Sequence, residues 1–527
     1  MNSKSTKLLG LVILFFIIVA GWTAVYLSQR PQQQAGPSGS LTVGTTEYPG
    51  NGVSPYNTAF DTGFGMEAMI YEGLTSQRPD GTLFPGLASS WTSSQDYTVW
   101  TFTIRNGVKF HDGTSVNASA VKASLEVGIK SRLGPLVLGP YVKEMKVNDE
   151  STLQFTLKAP YQGFAYALSG SPSLIVSPTS YLKNPNQTGT IVNVGSGPFK
   201  QAQWLPNDRV ILEANTDYWN ASRIPKVKTF IWKFFTDSNA MVLSLKSGAI
   251  DVAYLQVPQN QIQTLASDPN LRFVQNIYPF TNFLALNVRF KPLDNLYVRK
   301  AIAYAIDYNK ILRIENATRA YSVFPVEIFG KFNADGQKNF TYNPAYAKQL
   351  MAKAGYPNGY DGSLELYYPP LQFGSELPDI ATVIQNNLAE IGLKIVLKPV
   401  DPATESSIVN AQNAPLAIFR AGTLSPDPDF LATFSYGLNQ LNSYSRWAFN
   451  NQTADTWVTQ AKISTSFQDR AKLYGQVQNT FDSQPSHMIF LYNNVHYVFF
   501  NKKVQGIDSV GVSPGFEIDW TQLYTQT

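Results

Sequence analysis

The chain has 527 residues, a net charge of +4, 44% apolar and 15% charged residues, and no cysteine. That length exceeds one ordinary core and calls for two to four domains. The weak charge, without any Lys/Arg block, excludes a nucleic-acid binder. The lack of cysteine excludes disulfides, thiolate metal sites and a lipid-modified N-terminal Cys.

In chain order, residues 1–7 carry Lys4 and Lys7 and precede an uncharged stretch from Leu8 to Leu27. Twenty such residues span a bilayer core and exceed the roughly 7–15 apolar residues of a cleavable signal. No A-x-A site follows. The segment reads as a retained transmembrane anchor with a cytoplasmic N-terminus and exported bulk, a processed export signal being the rival. Residues 28–40, including PQQQAGPSGS, form a linker. Beyond it, Val99 to Arg105 alternates as a strand within a strand-rich region. A helix over Asn239 to Ser247 stops at Gly248 and leads into a strand at Ile250 to Tyr254. Val298, Ile302 and Ile306 place one apolar stripe on a helix, with Asp294 as its N-cap. Asn343-Pro344 opens another helix and Gly355 closes it. Leu364 to Tyr368, Pro378 to Ile391 and Lys394 to Leu397 read as strand, helix and strand, which predicts adjacent parallel strands. A helix with Leu473, Val477 and Phe481 precedes the apolar strand Met488 to Tyr492. The pattern is α/β with a strand-rich insertion.

Several segments, in one order, resemble family 5 solute-binding proteins, the extracellular receptors of peptide, nickel and some oligosaccharide ABC importers. They are YEGLTSQRPDGTLFPGLASSWTSSQDYTVWTFTIRNGVKFHDGTSV (Tyr71 to Val116), GSGPFKQAQWLPNDRVILEANTDYW (Gly195 to Trp219), LKSGAIDVA, PLDNLYVRKAIAYAID, YNPAYAKQLMAKAGYPNGY and IQNNLAEIGLKIVLK. The resemblance implies a two-lobed clamshell of periplasmic-binding-protein type II with a third, strand-rich domain inserted in the first lobe. Carried over, lobe I is 41–68, 192–275 and 487–527, the insert is 69–191, and the distal lobe is 276–486. The lobe crossings then fall near Tyr278 to Asn287 and Ser486 to Asn494 and serve as hinges. The implied partners are an ABC permease and ATPase and a small polymeric solute, with the receptor itself a monomer. A surface sensor that has lost import is the further alternative.

The informative departure is IFRAGTLSPDPDFLATF, Ile418 to Phe434. In peptide-binding members the matching stretch resembles aR.GW.aDy.dP..fl, where an aspartate meets the peptide's α-ammonium and a tryptophan lines the pocket. Here Thr423 to Pro426 is about two residues short and lacks both. A buried ammonium without a counter-charge costs several kcal/mol, so peptide remains the leading ligand class but oligosaccharide stands close behind. Candidate contacts are Glu47 and Tyr48 after the first strand; Arg420, Thr423 and Asp427 in the departing stretch; and Asn442, Tyr444 and Trp447, with Tyr367 and Tyr368, as amide and aromatic surfaces for a sugar. His111 with Gly107 and Gly113, and Trp91, Trp100 and Trp219, read as turn and packing residues.

Enzyme motifs fail on context. Gly511-Val-Ser513-Pro-Gly515 fits G-x-S-x-G, but no His follows it. Gly63-Phe-Gly65-Met-Glu-Ala68 follows a polar loop instead of a buried strand. Three histidines, His111, His487 and His496, do not have metal-ligand spacing. The expectation is a binding protein with no catalytic residue, cofactor or metal.

Overall fold

A computed structural model describes residues 37–49, 53–56, 61–78, 82–131, 134–183, 194–254, 257–324, 332, 340–370, 377–422, 427–436, 452–483, 487–509 and 518–526. The 8–27 segment lies outside them, and among the described residues no helix is long and apolar enough to cross a membrane.

Chain order alternates strands with helices. β1 (Ser40–Thr45) is followed by a hairpin, β2 (Thr75–Gln77) and β3 (Leu83–Pro85), and by β4 (Ala88–Ser93), β5 (Val99–Ile104), β6 (Val142–Asp149) and β7 (Thr152–Leu157). These last four form an antiparallel sheet ordered β4-β5-β7-β6. Alternation in VWTFTI turns Trp100, Phe102 and Ile104 inward, where they pack with Phe155 and Phe164. This is the expected strand-rich insertion.

Ten later strands join β1 in one large sheet. They are β8 (Phe199–Leu205), β9 (Arg209–Ala214), β10 (Thr229–Phe234), β11 (Val252–Tyr254), β12 (Leu271–Leu286), β13 (Thr318–Arg319), β14 (Ser363–Tyr368), β15 (Lys394–Pro399), β16 (Leu416–Gly422) and β17 (Met488–Asn501). Among the described residues the order is β15-β14-β16-β12-β17-β11-β1-β10-β9-β8, with β13 on β17. β1 runs parallel to β10 and β11, and β14 runs parallel to β15 and β16. Separate apolar cores serve the two ends. Leu41, Phe230, Trp232 and Trp520 fill one, and Leu284, Ile302, Leu366 and Leu388 fill the other.

Among the described residues, only β12 and β17 run through both ends. Leu271 to Ile277 pairs with Asn501 to Val495; the ladder then shifts and resumes with Thr281 opposite Asn493. Before the shift, β17 also pairs with β11; after it, β12 also pairs with β16. A ribbon whose register breaks where its neighbours change has few ladder bonds holding the two ends at a fixed angle.

Most expected elements form close to the expected bounds. The 239–247 helix is Ser238–Lys246 capped by Asp237, and Gly248 follows at φ +76°. Asn343 caps Pro344–Lys353, with Gly355 at φ +92° beyond it. The 378–391 helix is Leu377–Glu390, flanked by the parallel pair β14 and β15. The 298–307 helix differs. It runs Leu296–Ala305, with Asn295, not Asp294, accepting a cap bond from Tyr297 N. Asp294 is occupied by Lys291 at 3.1 Å, while Arg299 donates to the Leu293 and Asp294 carbonyls. Ile306 ends the helix, and Asp307 caps the next one, Tyr308–Glu315.

Candidate ligand-binding cleft

Strand directions locate the cleft. β1, β10 and β11 run towards the register break from one end, and β16 runs towards it from the other, with β14 and β15 parallel to β16. Both sets of parallel strands therefore aim their carboxyl ends at the middle of the β12–β17 ribbon. Ligands of open α/β sheets bind outside the carboxyl ends of strands. One rim lies at the strand ends Thr45, Phe234 and Tyr254, the other at Tyr368, Pro399 and Gly422.

The ribbon's middle is polar although its flanks are not. Asn282 Nδ2 donates to Asn494 Oδ1 at 2.6 Å, and Asn493 Nδ2 donates to Thr281 Oγ1 at 2.9 Å and to the Phe280 carbonyl at 3.0 Å. These side chains are buried and bond groups where the ladder slips. His496 lies in the same stretch. Burial, and then the nearby Arg420 cation, hold its pKa down to about 3, so it is neutral.

On the first rim, Glu47 turns towards the helix Asp61–Ile70: its Oε2 accepts from Thr62 N at 3.0 Å and Thr62 Oγ1 at 3.1 Å. A carboxylate there satisfies an orphan helix donor and suits the positive end of the helix dipole. Tyr48 packs edge-on against Phe234 at 5.1 Å and near Trp204 at 6.1 Å. On the second rim, Arg420 lies opposite Asn282 in register and places its guanidinium 4.2 Å from the Phe280 ring centre. Thr423, Asn442, Tyr444 and Trp447 lie outside the described residues. Tyr368 is buried in the core, and the Tyr367 hydroxyl donates to Glu365.

Asp427 is matched within the fold. Both its oxygens accept from Arg470 Nη2 at 2.9 Å, and both residues are buried. Two residues on, Asp429 accepts from the Tyr141 hydroxyl at 2.5 Å, with Lys462 Nζ 3.8 Å away and 4.2 Å from the Tyr141 ring centre. Tyr141 stacks on Tyr161 at 4.3 Å, and Gln162 donates to the Thr465 carbonyl. Gly163 passes so close that a Cβ would stand 2.5 Å from Asp427 Oδ2. The inserted sheet is thus bonded to the segment that follows β16.

The signal for the ribbon's polar middle was present in the sequence, as Asn493, Asn494 and His496 interrupt the run MIFLYNNVHYVFF. The partnership of Tyr141 with Asp429 and of Asp427 with Arg470 left no local trace.

A cavity of about 240 Å³ sits elsewhere, among Glu72, Trp219, Arg223, Asp519 and Trp520. It lies by the amino ends of β1 and β10, where Lys226 N bonds the Thr521 carbonyl. Glu72, whose pKa burial raises, accepts there from Tyr218, Trp219 and Ser196. His111 bonds the Gly197 carbonyl at 2.9 Å from its turn. Arg105 lies 4.4 Å from the Trp219 ring centre. These residues tie the insert to its neighbours. Among the described residues, no three His, Asp or Glu side chains could hold a metal ion.

Comparison with known proteins agrees with this geometry. Residues 82–443 match the bacterial extracellular solute-binding proteins, family 5 middle. The glutathione-binding protein GsiB of Salmonella typhi is 27% identical over 443 residues, covering 81% of this chain and 84% of its own. Among solved structures, the periplasmic binding protein AgaA of A. tumefaciens R10, in complex with agropinic acid, is 25% identical with a TM-score of 0.78 over 93% of this chain and 99% of its own. Helicobacter pylori DppA in complex with the peptide STSA has the same fold, with 23% identity and a TM-score of 0.79 over 94% and 100%.

Proposed function

Because the chain belongs to the family 5 bacterial extracellular solute-binding proteins, the substrate-binding components of ABC importers, we propose that it captures short peptides outside the cell and delivers them to an ABC permease and its ATPase. The observation that carries the reading is the convergence of both sets of strand ends on the β12–β17 ribbon. A solute held there touches both rims at once, so closure strengthens binding and excludes water. The relatives that bind glutathione and the peptide STSA support a peptide as the solute.

In this reading lobe I is 41–68, 192–275 and 487–527, the insert is 69–191 and the distal lobe is 276–486, with the hinge in the β12–β17 ribbon. Arg420 faces the solute. Glu47 and Asp427 hold the two rims in shape, since their carboxylates are already bonded to Thr62 and Arg470. Residues 8–27 anchor the receptor to the membrane, and 28–40 tether it.

The test is a thermal-shift screen of residues 41–527 against di- to tetrapeptides and against oligosaccharides. A ligand at about 100 times its Kd stabilises by about 2.7 kcal/mol, RT ln(1 + [L]/Kd). Shifts with peptides are expected. Shifts confined to oligosaccharides would overturn the peptide reading.

A further inference from the structure

We propose that Glu405 supplies the negative charge that receives the primary ammonium group of the bound solute. The assignment rests on the peptide reading above and names the group that discriminates a free N-terminus.

Glu405 stands in the first turn of the helix Pro402–Asn410, which begins directly after β15. Val400 N bonds the Tyr368 carbonyl, pinning this turn to the carboxyl ends of β14 and β15, the edge that forms the second rim. The first turn of this helix therefore starts at the carboxyl edge of the sheet, where the second rim lies. Only 1% of Glu405 is exposed, and its Oε1 has no hydrogen-bond partner among the described residues.

Four other buried acids have partners within the fold. Glu67 accepts from Ser171, Asp251 pairs with Lys503 at 2.7 Å, Asp427 with Arg470, and Asp429 accepts from Tyr141. A buried carboxylate without a partner is costly as an ion and is retained at the expense of stability. In the unliganded protein burial pushes its pKa up to about 8. A cation arriving in the cleft relieves that cost, because the ion pair forms in a site already stripped of water and begun at the positive end of a helix. A glutamate on this rim also answers the departure at Thr423 to Pro426, where an aspartate is missing. The charge has moved from the segment after β16 to the segment after β15, two strands away in the same parallel set.

The experiment is isothermal calorimetry on the full chain with matched free-amine and N-acetylated di- to tetrapeptides, for wild type, E405Q and E405D. Wild type should prefer the free amine by at least about 30-fold. Glu405→Gln should erase that preference while folding at least as stably, and Glu405→Asp should keep part of it. Undiminished preference in E405Q overturns the assignment and leaves the peptide reading standing. Binding of oligosaccharides alone by wild type overturns both.

Discussion

The Tyr141 hydroxyl donates to Asp429 at 2.5 Å although 288 residues separate the two. Tyr141 belongs to the inserted sheet's side of the molecule and Asp429 to the segment after β16, so the bond, with that of Gln162 to the Thr465 carbonyl, joins parts distant in sequence. Its neighbours are buried or closely packed, with Tyr161 stacked below and Lys462 above. If the two rims part when the cleft opens, this bond is expected to part with them.

Tyr141→Phe should therefore weaken ligand binding with little effect on the melting temperature of the unliganded protein. A hydrogen bond to a charged group contributes about 1.5–3 kcal/mol, and its loss from the closed state alone raises Kd by about tenfold or more. Gly163→Ala should act the same way, since its methyl group would press on Asp427. Small-angle scattering with saturating ligand checks both: the variants should remain more open than wild type.

Arg470→Ala should destabilise the fold by roughly 3–5 kcal/mol, the cost of leaving Asp427 buried without its partner. Removing both charges, as Asp427→Leu with Arg470→Met, should recover most of that loss. Urea denaturation of the single and double variants measures the difference, and a double variant as unstable as the single would contradict the pairing.

Arg420→Ala should abolish ligand-induced thermal shifts while leaving the unliganded melting temperature nearly unchanged. A large loss in the unliganded protein would assign Arg420 to the fold alone.

Two sets of buried groups act with opposite sign on pH. Burial lowers His111 and His487 to about 4 and His496 to about 3, from an ordinary 6.5. The unfolded chain then takes up protons first, so stability is full above about pH 6.5 and falls towards pH 4, by up to about 1.4 kcal/mol per histidine per pH unit. Unfolding in urea at pH 7, 6 and 5 should trace that fall, and a flat profile would contradict it.

Glu405 runs the other way. Its raised pKa leaves no penalty below about 4.5, whereas between there and about 8 the unfolded carboxyl ionises and the folded one does not. Wild type should lose stability relative to E405Q as pH rises through that window, by about 4 kcal/mol at pH 8. Equal pH profiles for the two proteins would show the carboxyl to be solvated or paired.

What the sequence settled by itself is local. Asp237, Asn343, Gly248 and Gly355 marked helix ends, because caps and left-handed backbone follow from single residues. The strand, helix and strand from Ser363 to Pro399 predicted the parallel pair β14 and β15, because a short crossover leaves few alternatives. The ordered family segments pointed to a clamshell, and the solved neighbours have that fold. Even locally, competition mattered: Lys291 drew Asp294 away, and the cap passed to Asn295. Tertiary structure alone decided what each charge does. Glu47 became a helix cap and Asp427 half of a buried pair, while Glu405 keeps an oxygen without a hydrogen-bond partner among the described residues. The physical reason is that a charge's role depends on which groups share its low-dielectric surroundings, and those groups come from parts of the chain hundreds of residues away.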